Sequence, residues 1–419
     1  MKSLSVLFWL CLMPCWFNNF AVAQFQLDIE EAPFHYTETK AENRVTRLME
    51  RLESRELKLE YSPQQGYLQS LLKELDIPES SQTLVFSKTS MQVRYISRHN
   101  PRAIYFNDDT YVGWVNGSSL AEISTTDPKL GAAFYTVDMM PWRAKIQRAD
   151  YDCLACHSTS MTQGVPGHTI RSVLTTFDGS IDSQKQSFIT SDASPFSQRW
   201  GGWYVTGRHG DMKHMGNAYL KAGMLDTSAN GNWTHVRDEF DTQNYLSPYS
   251  DIVALMVLEH QTQMHNEMTR ADFVVRQMLH QQGSAPTDAE EWKVQLASVA
   301  KRVVDRMLFC DEAPLTSEVK GSVVFADHFT RRGPSDSSGR SLRDFDLQTR
   351  MFRYPLSYLI YSDAFDSLQD CLKQEVCRQL EAVLTGKNQS EEYAHLDATC
   401  RADIVQILRE TKPDVIRAR

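Results

Sequence analysis

Apolar and polar positions along this chain follow two rhythms, and the switch between them divides it. Residues 37–59 are charge-rich, with apolar positions at Val45, Leu48, Met49 and Leu52, a spacing that predicts an amphipathic helix. Residues 68–75 predict a second short helix, ended by Pro78. From residue 82 to 137 the texture changes to short β-branched and aromatic runs at 83–86, 93–96, 103–106 and 110–115. Asn107-Asp108-Asp109 and Asn116-Gly117 between them are turn sequences, so hairpins are expected. Further strands are expected at 171–177 and 203–206. Helical spacing returns at 250–281, 290–307, 350–361, 368–384 and 402–410, with a polar, glycine-containing loop at 331–339. The expected fold class is α+β: a β-rich region flanked by N-terminal and C-terminal helical regions.

The start of the chain adds a compartment. Lys2, an apolar run from Leu4 to Phe17 and then Ala21-Val22-Ala23 have the order of a secretory leader, with cleavage expected near Ala23–Gln24. No later stretch approaches the roughly 20 apolar residues of a membrane span. An exported, soluble protein is expected, most readily in a bacterial periplasm. The expected organisation is a leader over 1–23, a helical segment over 24–80, a β-rich region over 81–245 and a mainly helical region over 246–419. The formal net charge is −9, and losing the leader's one lysine makes the rest slightly more acidic. That balance argues against a nucleic-acid partner, which favours a basic stripe. It suits ordinary solubility, or docking to a basic redox partner.

The sharpest chemical signal is Cys153-Leu154-Ala155-Cys156-His157. Two cysteines three apart with a histidine directly after the second form the attachment sequence of c-type haem. Each thiol adds across one porphyrin vinyl group to give a thioether, and the imidazole reaches the iron as proximal ligand. On a helical turn, positions i, i+3 and i+4 share a face, so all three groups meet one flat cofactor. The competing readings are a redox dithiol and half of a zinc site, but the chain has no second C-x-x-C. One covalently attached haem c per chain is therefore expected. With Cys11 and Cys15 expected to leave with the leader, four further cysteines, Cys310, Cys371, Cys377 and Cys400, fit two disulfides in an oxidising compartment. The pairing favoured is Cys310–Cys371 with Cys377–Cys400.

The opposite side of the iron has several candidates. His214 and Met215 lie on a glycine-bounded loop with His209 and Met212. His260 interrupts the apolar stripe Val253, Val257, Met264 and Met268 of a long helix, and a histidine facing a core needs a partner. His265 lies off that stripe. Met161 and His168 are local alternatives. Met161 follows His157 by four residues and would share its side, whereas His168 follows a Gly-Pro-Gly turn that could swing it round. Trp200, Trp203 and Tyr204 could line a porphyrin edge. Arg340, Arg343, Arg350 and Arg353 could pair with propionates or form ordinary salt bridges.

At the Cys153–His157 string the chain resembles c-type cytochromes. The resemblance implies thioether attachment at Cys153 and Cys156 and iron ligation by His157. The stretch from Ser97 to Arg102 and the region 200–217 resemble a large, single-haem, secreted bacterial family of unassigned role. The class implies single-electron transfer between redox partner proteins. A haem oxidoreductase, peroxidase-like and with an open distal site, is the alternative that the chain's size favours. A haem-based sensor is a third, although no signalling domain is visible in the sequence.

Overall fold

The computed structural model describes residues 27–142, 144–283 and 289–416; the leader expected over 1–23 lies outside them. The fold is α+β, as the two rhythms predict. Helices α1 (Arg44–Glu53) and α2 (Leu68–Glu74) come first. α1 is shorter than its apolar spacing suggests because Asn43 starts it: the Asn43 side chain accepts from the backbone N–H groups of Val45 and Thr46.

A seven-stranded antiparallel sheet follows. Its strands are β1 (Thr83–Val85), β2 (Arg102–Phe106), β3 (Thr110–Val115), β4 (Leu120–Asp127), β5 (Gly131–Asp138), β6 (Ile146–Arg148) and, after a long excursion, β9 (Trp203–Tyr204). Their order across the sheet is β6-β5-β4-β3-β2-β1-β9. Both expected turns at 107–109 and 116–117 join neighbouring strands. Residues 93–96 form turns instead of a strand: the Gln92 side chain bonds both ways to β3, donating to Gly113 O and accepting from Val115 N. Those contacts tie the segment down without a ladder. Of the strand expected at 171–177 only β7 (Arg171–Ser172) forms, paired with β8 (Phe188–Ile189). A small ribbon joins β10 (Leu220–Lys221) to β11 (Met224–Leu225).

Period-two alternation gives the sheet two different faces. Ala103, Tyr105, Val112, Trp114, Ala121, Ile123 and Tyr135 face one way and share a core with Leu48, Leu68, Leu71 and Leu72 of α1 and α2. The alternate positions, Arg102, Ile104, Tyr111, Gly113, Glu122, Ser124 and Phe134, line a cleft on the other side.

Beyond the sheet come α3 (Asp150–His157) and the 31-residue α4 (Ile252–Gln282), whose N-terminus Asp251 caps by accepting from Ala254 N. α4 runs through the second core with α5 (Glu290–Met307), α6 (Val323–Arg331), α7 (Asp363–Asp366), α8 (Asp370–Leu384) and α9 (Ala398–Thr411). The helix expected at 350–361 is absent: Pro355 lacks the amide that a helix needs, and the segment bends before a 3-10 turn at Tyr358–Tyr361. Among the described residues no helix is long and apolar enough to cross a membrane.

The expected disulfides do not form. Cys310, Cys371, Cys377 and Cys400 are free thiols. Cys371 and Cys377 share α8, Cys400 sits on α9 beside Arg350, and Cys310 follows α5 beside Asp305. All four pack against the second core, and burial raises the pKa of each thiol.

Candidate functional site

The cleft on the sheet is open on one side and has a volume of about 110 Å³. Its floor is the sheet face just described. One wall is α3, which contributes Cys153 and His157. The others are His168, Thr169 and Ile170 from the returning chain and Leu258 and Thr262 from α4. Three features of the sequence make this space. Gly113 leaves the β3 position open, so that the Arg102 side chain lies across it where a methyl group would overlap the guanidinium. Phe134 packs against the His157 ring at 4.9 Å. The turn Gly164–Gly167 brings the chain back along the sheet edge, where Ala132 N donates to Pro166 O at 3.1 Å.

The helical turn predicted for the motif is present, and α3 has no buried residue. Cys153 lines the cleft while Cys156 is exposed. His157 Nδ1 lies 2.9 Å from Gly167 O. A carbonyl only accepts, so Nδ1 carries the proton, and the neutral ring keeps its lone pair on Nε2. Gly167 N donates back to His157 O at 2.9 Å. A carbonyl on Nδ1 is the arrangement by which proteins fix the tautomer and direction of a metal-binding imidazole.

His168 is the second imidazole in the cleft. It is buried, and Tyr111 packs on it at 4.5 Å. Nδ1 is hydrogen-bonded to Ser124 Oγ at 3.2 Å. Nε2 is buried without a hydrogen-bond partner among the described residues, a situation that costs about 1–3 kcal/mol unless something fills it. Asn266 of α4 holds the backbone from both sides, accepting from His168 N at 2.8 Å and donating to His168 O at 2.7 Å. Behind it, His265 Nδ1 meets Tyr111 Oη at 3.0 Å, and Gln261 continues the network to Tyr358.

Burial dominates the electrostatics. It holds His157 below the usual imidazole range and His168 well below it, so both stay neutral, the form that binds metals. Burial, helped by Glu122 and Asp152, pushes the Cys153 thiol up to about 12. A redox dithiol needs the opposite, a depressed thiol. Among the described residues no group of three or more His, Cys, Asp and Glu side chains is arranged to hold an ion. The cleft also holds one cation. Arg102 Nη2 is 2.6 Å from Glu122 Oε2, and its Nε is buried without a partner among the described residues.

The structure separates the remaining sequence candidates from this cleft. His214 Nε2 lies 3.2 Å from His209 Nε2, and Met215 Sδ accepts from Ser172 Oγ at 3.6 Å; both side chains are buried. His260 stacks on Phe309 at 4.2 Å and sits between Ser357 (2.8 Å) and Asp192 (3.4 Å). These partners answer its need without iron. Trp200, Trp203 and Tyr204 are core residues and do not line the cleft. Arg343 is sandwiched by Phe329 and Tyr358 and paired with Asp108, and Arg340 pairs with Asp336 and Asp403. Sequence reading passed over Arg102, Ser124 and Asn266; the period-two pattern of β2 to β5 carried the signal for the first two.

A flat cofactor fits the donor set: one thiol in the cleft, a second one turn further on, an imidazole with a fixed tautomer, apolar walls and one arginine. No protein-family model matches this chain, and neither a curated protein nor a solved structure is significantly similar to it.

Proposed function

We propose that the chain is a periplasmic monohaem c-type cytochrome that carries single electrons between redox partner proteins. One observation carries the reading: Cys153 and His157, from a single helical turn, enter one cleft, and Gly167 fixes the proton of His157 on Nδ1. In this reading Cys153 and Cys156 hold haem c through two thioethers, and His157 binds its iron through Nε2. Bound there, the haem supplies an iron that gains and loses one electron.

The chain's own residues set the conditions. Ile104, Phe134, Ile170 and Leu258 give the cleft apolar walls, which would favour the less charged state of an embedded metal. Arg102 is the cation within reach of a carboxylate in the cleft, at the expense of its pair with Glu122. The neutral thiol of Cys153 supports this reading over dithiol exchange.

The test is covalent haem. Protein produced with a c-type maturation system should keep one haem per chain through denaturation and acid-solvent extraction. Cys153→Ala with Cys156→Ala should reduce that to none. Haem that extracts, or a colourless product, would overturn the proposal. A reversible one-electron titration with negligible peroxide turnover is expected of the carrier; rapid peroxide turnover would favour the oxidoreductase alternative.

A further inference from the structure

We infer that His168 is the second axial ligand, so that the iron of this cytochrome is held by two imidazoles. The inference rests on the haem reading above and goes beyond it by naming the residue that closes the site.

Four observations converge on His168. It lines the same cleft as Cys153 and His157. Its Nε2 is buried and lacks a partner among the described residues, whereas buried polar atoms in native proteins are nearly always satisfied. Its Nδ1 is already engaged by Ser124 Oγ. In the tautomer that ligates through Nε2, Nδ1–H donates to that oxygen, just as His157 Nδ1–H donates to Gly167 O. Finally, the backbone of His168 is clamped in both directions by Asn266, which is itself fully buried.

The clamp explains the preceding glycine. A Cβ at Gly167 would overlap the Asn266 side-chain oxygen, so any other residue there would open the clamp. The dipeptide Gly167-His168 thus directs both rings: its carbonyl orients one imidazole and its side chain is the other. Phe134 stands beside both, at 4.9 Å from the His157 ring and 6.4 Å from the His168 ring.

The rivals are weaker. His214 and His260 also carry a buried Nδ1 with no hydrogen-bond partner among the described residues, but their other nitrogens and Met215 Sδ are engaged elsewhere, and none of the three lines the cleft. His265 also has an unpartnered Nε2, but it does not line the cleft and lies behind His168 with its ring 5.9 Å away. A nitrogen ligand in place of a thioether removes the sulfur that raises the potential of many c-type cytochromes. A saturated iron also disfavours peroxide activation.

Two measurements decide the matter. In the wild-type holoprotein, ferric EPR with near-infrared magnetic circular dichroism should report low-spin iron with two nitrogen axial donors. A sulfur donor or high-spin iron would overturn the assignment without any variant being made. His168→Gly should keep its covalent haem, lose the low-spin signal and regain it with added imidazole. His265→Ala and His260→Ala should leave the signal in place. If His168→Gly keeps the wild-type spectrum, or if His265→Ala loses it, the assignment is wrong while the haem reading stands. A wild type without covalent haem defeats both.

Discussion

Helices α3 and α4 each bring histidine inside the protein, but they are built in opposite ways. α3 has eight residues, none of them buried. It contributes little packing, and its His157 is steered by one carbonyl from a neighbouring turn. α4 is buried on every side for most of its 31 residues, and most polar groups along it have found a partner, with Gln263 Nε2 and His265 Nε2 among the exceptions. Glu259 meets Arg199 at 3.3 Å, His260 meets Ser357 and Asp192, Gln261 bridges Asn107, Tyr111 and Tyr358, and Asn266 clamps His168. Chemistry is available on the helix that the fold does not depend on. The helix that the fold does depend on has spent its donors on structure.

The largest stability effect should come from the α4 side. Arg199→Ala leaves Glu259 without its buried cation and removes a donor to Asp192 O, and removing one partner of a buried pair costs about 3–5 kcal/mol. Urea denaturation at neutral pH measures it; a loss below about 1 kcal/mol would mean that this network behaves as an exposed one and would break the comparison.

A pH series gives a smaller effect of known sign. Burial raises Glu259 to about 7, with Arg199 pulling the other way. An unfolded glutamate titrates near 4.3, so the folded state binds the proton more tightly. Glu259 therefore stabilises the fold fully below about pH 4.3, and that contribution is lost as pH rises through about 7. Asp251 and Asp272, both raised to about 6 by burial, act in the same direction. Glu259→Gln should flatten the fall in stability between about pH 5 and 7.5 by on the order of 2 kcal/mol. An unchanged slope would remove Glu259 from the account.

The smallest effect belongs to α3. Tyr151 is 90% exposed, and Tyr151→Ala should shift stability by less than about 0.5 kcal/mol. A larger loss in the same denaturation experiment would show that α3 carries fold energy after all.

Much of the frame was legible in the sequence. The Cys153–His157 string fell on a helical turn because its spacing suits one, and the turn residues at 107–109 and 116–117 located two hairpins. The period-two alternation of β2 to β5 was present in the sequence but went unread, so the cleft face was not foreseen. Other features depended on distant partners that local pattern does not carry. His260 reads as an unsatisfied core histidine until Asp192 and Ser357 arrive, the latter from 97 positions away. Residues 93–96 read as a strand because nothing local reveals the Gln92 contacts to β3. α6 was missed because Val323 and Val324 are 72% and 66% exposed at its start, which blurs the apolar stripe. His168 was visible as a local alternative, but its weight came from Asn266, almost a hundred residues later.

The doubly bonded pair His157 and Gly167, followed at once by the clamped His168, ties the two rings into one mechanical unit. Neither can be displaced without dragging the other and the buried helix behind it. In the haem protein proposed above, a centre held in such a frame would change its bond lengths little between oxidation states, and the reorganisation energy of an electron hop would stay small. Its speed would then be set by how closely a partner approaches α3 at the exposed Cys156.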